Sequence, residues 1–456
     1  MRLFDFILPC QIQRMISSWR RRRAGHCAGK EQPWGENRGM ELTIPGHFRC
    51  PISLDLMKDP VTFSTGITYD RESIETWLDA GNQTCPITNQ ELKSLEPIPN
   101  HAIRKMIQDW CVENRSHGIE RIPTPRIPVS SAQVSELLRK ITMASESEDE
   151  AGCLKLVTKL KALAKESDRN KRCIVANTTG SVLSAAFDTF SKVSFDRNAT
   201  VLEEILSTLA LLFPLDREAK SFLQSSASLH CMAWFLKGAD LSGRKNSVLA
   251  LKDVLSSDES RVESFSKIEG ALEALVKLIK EPICRTATKA SLMVIYHMVS
   301  CSFPNEAIID RFVDMGLVSL LLELLVDNEI SMCEKAEGVL DGICSSERGR
   351  EKAYNHALTI PVLVKKILRV SDLATQFSVS ILWKLICKNE KREEASVVVV
   401  EALQVGAFQK LLLLLQVGCA DRTKEKATEL LKLLNLHRDR LECVESTDFK
   451  DLKRRF

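Results

Sequence analysis

Between residues 44 and 115 the spacing of apolar positions changes every dozen residues. Val61 to Phe63 and Ile67 to Tyr69 flank Ser64-Thr65-Gly66, which predicts a β-hairpin with glycine in its turn. Asp70 is placed to cap a helix in which Ile74, Trp77 and Leu78 fall at i, i+3 and i+4, and Gly81 stops it. Asn100 is placed to cap a second helix with Ile103, Met106, Ile107 and Trp110 on one face. Irregular segments at 50–60 and 85–95 bracket the hairpin and first helix. The predicted order is loop, hairpin, helix, loop, helix: a small α+β module.

Downstream the pattern is helical. Residues 116–131 hold Pro123, Pro125 and Pro128 and read as an extended linker. From Ala132 to about residue 440 apolar residues keep helical spacing, with the acidic run SESEDE at 145–150 read as an interhelical loop. Glycine opens leucine-rich stretches at Gly180, Gly270, Gly316 and Gly406, at intervals of 90, 46 and 90 residues. A unit of about 45 residues fits if Ala227 and Thr359 stand at two openings without glycine, and such a period with two or three helices per unit marks armadillo or HEAT repeats. Lys289-Ala290, Lys335-Ala336 and Lys426-Ala427 recur in the helices that follow the openings. The expected fold is mainly α: the small α+β module at 44–115, the linker at 116–131, an α-solenoid at 132–440, and tails at 1–43 and 441–456.

Composition narrows the function. With 63 Lys and Arg against 60 Asp and Glu, the global charge gives no case for nucleic acid as the main partner. No apolar run reaches the 18 or so residues of a membrane span. The 15 cysteines form no Cys-x-x-Cys pair, which suits reduced thiols and a cytoplasmic or nuclear protein. The N-terminal segment, with Arg20 to Arg23 following a short apolar start, reads as a solvated disordered tail rather than a secretory signal. Its alternatives are a nuclear-localisation patch or a peripheral membrane contact, with Cys10 and Cys27 as acylation candidates.

Cys-Pro-Ile-Ser at Cys50 returns 35 residues later as Cys-Pro-Ile-Thr at Cys85. A zinc module would read Cys-x-x-Cys at both turns, but Ser53 and Thr88 occupy the fourth positions, so no metal and no other cofactor is expected. A module of about 70 residues buries little apolar surface and needs another staple. Ser53 and Thr88, with Asp55, Lys58, Asp59, Asp70 and Glu72, are expected to tie the loops by hydrogen bonds and ion pairs.

The stretch "IPGHFRCPISLDLMKDPVTFSTGITYDRESIETWL", followed by "TCPITNQEL" and "PIPNHAIRKMIQDWC", resembles a U-box, the metal-free relative of the RING domain, nearly end to end. The resemblance implies a ubiquitin ligase that binds a ubiquitin-conjugating enzyme through Ile52 and Leu54 of the first loop, Trp77 of the helix and Pro86 of the second loop, supported by Asn100. It also implies ubiquitin as a partner and leaves room for self-association of the module. Asn89 is also implied in conjugating-enzyme binding but departs from the family pattern, standing where active relatives often carry an Arg or Lys that contacts both the conjugating enzyme and its ubiquitin; it keeps hydrogen-bonding capacity without the charge. In this family chemistry belongs to the conjugating enzyme, so no catalytic residue is assigned. A covalent mechanism would nominate Cys153, Cys301 or Cys344, each in an apolar helical pattern that predicts a buried thiol. The array resembles the armadillo repeats that follow the U-box in a plant ligase subfamily, which implies a groove for a protein substrate or regulator and a role in defence or stress signalling. The alternative is a non-enzymatic armadillo scaffold with a degenerate U-box.

Overall fold

The computed structural model describes residues 44–437 except 96, 121, 123–127, 239, 257–258, 301–305, 327–328 and 388–394. The basic N-terminal segment, Pro123, Pro125, Cys301 and the tail at 441–456 therefore lie outside the described residues. Contacts divide the chain into two units, meeting at Ile127 and Pro128.

In the first unit β1 (Pro60–Thr62) pairs antiparallel with β2 (Thr68–Asp70), Val61 opposite Tyr69. Gly66 turns the hairpin at φ 76, a conformation open to glycine without steric cost. A third strand absent from the prediction, β3 (Ile98–Pro99), pairs with the other edge of β1 to give the order β2-β1-β3. Helix α1 (Arg71–Asp79) ends just before Gly81 at φ 87, and α2 (His101–Glu113) is capped by Asn100, whose Oδ1 accepts from Ile103 N at 3.0 Å. Asp70 stands at the head of α1 but its carboxylate makes no capping bond; it turns back to the first loop instead. Phe48, Cys50, Met57, Val61, Tyr69, Ile74, Cys85 and Ile107 are among the buried core. Ile119 and Ile122 pack against that core, and Gln108 Nε2 donates to Ile122 O at 3.3 Å. The start of the expected linker is therefore held by apolar contact and is not a free extended strand.

The second unit opens with a helix pair, α3 (Ser131–Glu146) and α4 (Glu150–Glu166). Half of the acidic run is helical: α3 continues through Glu146 and α4 begins at Glu150, so the loop is only residues 147–149. Three-helix repeats follow. Their short first helices are α5 (Asp168–Ala176), α8 (Arg217–Leu223), α11 (Glu259–Ser266), α14 (Glu306–Asp314), α17 (Glu347–Tyr354) and α20 (Ala395–Gln404). The second helices are α6 (Thr179–Val193), α9 (Ser226–Lys237), α12 (Ala271–Lys280), α15 (Leu317–Val326), α18 (Thr359–Lys366) and α21 (Ala407–Val417). The third are α7 (Ala199–Leu209), α10 (Leu241–Leu255), α13 (Arg285–Val299), α16 (Ile330–Ile343), α19 (Asp372–Ile386) and α22 (Asp421–Leu436). The predicted openings fall within a residue of these second-helix starts. Gly270, Gly316 and Gly406 serve as the left-handed hinge, at φ 74, 77 and 84. Gly180 does not: it lies inside α6, an added Cβ would sit 3.2 Å from Leu215, and Thr178 takes the left-handed turn at φ 54.

The third helices, with α4, stack each on the next as one row. Ion pairs bridge neighbours, Lys161 to Glu204 at 2.8 Å and Lys384 to Asp341 at 2.8 Å. Glu329, just before α16, meets both Lys289 and Arg285 in the first turns of α13, so these helices run parallel and in register. One continuous apolar core runs beneath them, from Val134 to Leu434. No single helix among the described residues is long and apolar enough to cross a membrane.

Candidate functional site

The two Cys-Pro-Ile loops of the first unit share one wiring. Cys50 N donates to Asp55 O at 2.9 Å and Leu54 N to Cys50 O at 2.8 Å; Cys85 N donates to Gln90 O at 2.8 Å and Asn89 N to Cys85 O at 2.9 Å. Flanking bridges match as well, Arg49 with Leu56 and Thr84 with Glu91. The fifth residue of each turn is left-handed, Leu54 at φ 64 and Asn89 at φ 55. The sequence repeat is thus a structural repeat.

Neighbouring residues of β2 hold one loop each. The Tyr69 hydroxyl and Cys85 Sγ share a buried hydrogen bond of 2.9 Å, and Cys85 Sγ also accepts from Thr88 N at 3.5 Å. Burial alone would push the Cys85 thiol up, but the bonds from Thr88, Tyr69 and the Ile87 backbone outweigh it and bring it down to about 6. Burial raises the Tyr69 phenol well above its ordinary range, as does its bond to Cys85, so the phenol keeps its proton and donates it to sulfur. On the other side Asp70 N donates to Cys50 Sγ at 3.3 Å. Asp70 Oδ1 accepts from Lys58 N at 2.7 Å and Asp59 N at 2.8 Å, while burial raises the Asp70 carboxyl against the pull of those two bonds.

Asp59 then clamps Arg71 of α1, Nε to Oδ2 at 2.6 Å, and Arg104 of α2 through its other oxygen. Both guanidiniums and the carboxylate are largely buried, where charge-assisted bonds are strong and costly to break. The staple expected from Ser53 and Thr88 is local only: they accept from Asp55 N at 3.4 Å and Gln90 N at 3.5 Å. The thiols and the pair Asp59 and Asp70 do the tying across the module. Among the described residues no three His, Cys, Asp or Glu side chains gather where a metal ion could sit.

Ile52 and Leu54 are 38% and 63% exposed on the first loop. Pro86 is half-buried on the second, beside Asn89, which is exposed. Ile87, 53% exposed, holds the place in the second loop that Ile52 holds in the first, and sequence reasoning passed over it although the repeated Cys-Pro-Ile marks it. Trp77 is half-buried against the core and its indole N–H donates to Thr84 O at 2.9 Å, joining α1 to the second loop. Asn100 is a support rather than part of the exposed set: its Nδ2 donates to Thr62 Oγ1 at 3.1 Å and its N to Pro60 O at 2.8 Å, locking α2 to the hairpin. In the array Cys153 and Cys344 are fully buried, and burial pushes each thiol up to about 12, so neither is a nucleophile.

A small α+β module with two matched loops, followed by stacked three-helix repeats, defines a U-box ubiquitin ligase with an armadillo array. Residues 44–116 match the U-box domain family and residues 133–454 match the plant U-box protein ARM repeat region. "U-box domain-containing protein 21" of Arabidopsis thaliana is 48% identical over 421 residues, 91% of this chain and 94% of that protein. "E3 ubiquitin-protein ligase PUB23" of the same plant is 35% identical over 403 residues, 86% of this chain and 93% of its own length. An engineered protein of known structure superposes with TM-score 0.50 at 18% identity over 66% of this chain and 68% of its own, a likeness of fold alone. The chain belongs to the plant U-box family with ARM repeats, and is a RING-type ubiquitin transferase.

Proposed function

We propose that the chain recruits a ubiquitin-charged conjugating enzyme through Ile52, Leu54, Pro86 and Ile87, with Trp77 and Asn100 as buttresses, while the array binds a protein substrate or regulator. A substrate lysine amine attacks the thioester carbonyl on the conjugating enzyme, an isopeptide bond forms and the enzyme's thiol leaves. The ligase contributes orientation, which is worth several kcal/mol in well-aligned reactions. The observation that carries this reading is Leu54, an apolar side chain 63% exposed on a left-handed backbone. Neither exposure nor that conformation helps the fold, and strained apolar loop residues concentrate where partners bind. The family resemblance supports a role in plant defence and stress signalling, and the unpaired cysteines support a cytoplasmic location, with the nucleus or a membrane surface as alternatives.

The test is reconstitution with activating enzyme, a panel of conjugating enzymes and ubiquitin, comparing wild type with Ile52→Ala and Pro86→Ala, with and without a zinc chelator. Wild type is expected to build chains regardless of chelator, and the folded variants to lose at least tenfold in rate. Asn89 favours a second reading, since it brings no positive charge to the second loop. Silence of the wild type with every conjugating enzyme would make the chain a scaffold.

A further inference from the structure

One joint of the array brings together three ionisable side chains that ubiquitin transfer does not use. Cys333 on α16 is a free thiol and fully buried. Lys366, the last residue of α18 in the following repeat, is 5% exposed, and its Nζ lies 3.2 Å from Cys333 Sγ. Other largely buried lysines of the array run to carboxylates: Lys161 to Glu204, Lys220 to Asp253 and Lys384 to Asp341. Lys366 runs to sulfur. The third group is Glu337, one turn after Cys333 on α16 and fully buried. Its Oε1 accepts from Ser378 Oγ, its Oε2 has no hydrogen-bond partner, and the charge of Lys366 acts on it. A thiol, an amine and an incompletely satisfied carboxyl gathered inside a core need an explanation beyond packing.

We propose that this joint is a redox switch in which hydrogen peroxide joins Cys333 to Lys366 through a sulfur–nitrogen bond. Peroxide gives one oxygen to the Cys333 sulfur: an S–O bond forms, the O–O bond breaks and water leaves, the sulfur losing two electrons to the peroxide. Lys366 gives one proton to solvent, and its amine attacks the sulfenic sulfur. The S–N bond forms as the S–O bond breaks, and the oxygen leaves as water with a second proton from the nitrogen. In sum one peroxide is consumed, and two waters and one proton are released. Sulfenic acids condense with nitrogen as well as with thiols, and the 3.2 Å between Nζ and Sγ is already the separation of a near-attack pair. Access comes from the end of α18, a helix of eight residues that stops at Lys366, with Leu368 beyond it exposed at a left-handed φ of 61. Short helix ends open locally at far less cost than the unfolding of an array. The product ties α16 of one repeat to α18 of the next across 33 residues of chain. A thiol reductant reverses it by attacking sulfur and releasing the amine.

In the test the folded full chain is treated with hydrogen peroxide, its remaining thiols are blocked with N-ethylmaleimide in urea, and the tryptic peptides are weighed. The expected product is peptide 312–335 joined to peptide 366–369, two hydrogens lighter than their sum, because trypsin no longer cuts after the linked Lys366. Dithiothreitol should release the two. The joined pair should be missing from Cys333→Ser and from Lys366→Arg and kept in Cys344→Ser. Linking should also raise the melting temperature of wild type by about 3 °C or more over Cys333→Ser treated alike, and dithiothreitol should remove the difference. Recovery of Cys333 as sulfinic or sulfonic acid with Lys366 cut normally, or as the maleimide adduct, would overturn the proposal, and both are read on wild type without any variant. So would a joined pair that forms only when peroxide meets the unfolded chain, or a linked protein that melts no higher than the reduced one.

Discussion

Leu54 and Asn89 occupy the same left-handed place in two copies of one turn with opposite chemistry. Asparagine tolerates that conformation, whereas leucine there costs about 1–2 kcal/mol. Leu54→Gly is therefore expected to raise the stability of the small module by about 1 kcal/mol in urea titration while weakening conjugating-enzyme binding. If binding is unchanged, Leu54 has no role at the partner surface. Tyr69→Phe removes the donor that holds Cys85 and is expected to cost about 1.5–3 kcal/mol. Its pH signature is distinctive. The Cys85 thiol is lowered from 9.0 to about 6 on folding, so its contribution is complete above the unfolded value and fades as pH falls through about 6. Denaturant midpoints measured across that range should show the slope in wild type and a flatter one in Tyr69→Phe. The sequence already displayed the repeated Cys-Pro-Ile and hence both turns. It could not display that sulfur itself, through Tyr69 and the Asp70 backbone, had taken over the tying, because the partners come from a strand between the two loops.

The helices were legible where several cues agreed. Asn100 and Gly81 bound α2 and α1 as their types demand, and the long apolar second helices announced their period through glycine at Gly270, Gly316 and Gly406. Elements too short to show a period were not: β3 has two residues, and the first helices, such as α8 with seven, carry too few apolar positions. Asp70 misled as a cap because its carboxylate has stronger calls on it from Lys58 N and Asp59 N. Helix α16 shows a further limit of propensity. Gly342 would ordinarily gain about 1 kcal/mol as alanine, yet a Cβ there would lie 2.3 Å from Val299 Cγ2 and 3.2 Å from Val299 O. Gly342→Ala is accordingly expected to destabilise the array by about 1–3 kcal/mol, read as a lower melting temperature, and an unchanged or higher one would mean that α13 moves aside freely.

At the scale of the whole molecule, a fully buried acid in the array, Glu337, makes its stability depend on pH. Glu337 is fully buried between helices, accepting from Ser378 Oγ at 3.2 Å. Burial pushes its carboxyl up to about 8, opposed by that bond and by Lys366. The folded value lies above the unfolded one, so the array binds the extra proton and loses stability as pH rises from about 4.5 through about 8. Glu337→Gln should leave the melting temperature nearly unchanged in mild acid and raise it above wild type in mild alkali; parallel curves for the two proteins would show that the carboxyl is not desolvated as its burial requires. The third helices touch in sequence, each bearing on the next. A pull on the two ends of the row is therefore shared among its interfaces as among springs in series, and each repeat yields a little where a single globule would yield at once. A protein gripped by several repeats would be accommodated by small, distributed bending, and inserting or deleting one repeat would change the softness of the grip without touching the two Cys-Pro-Ile loops.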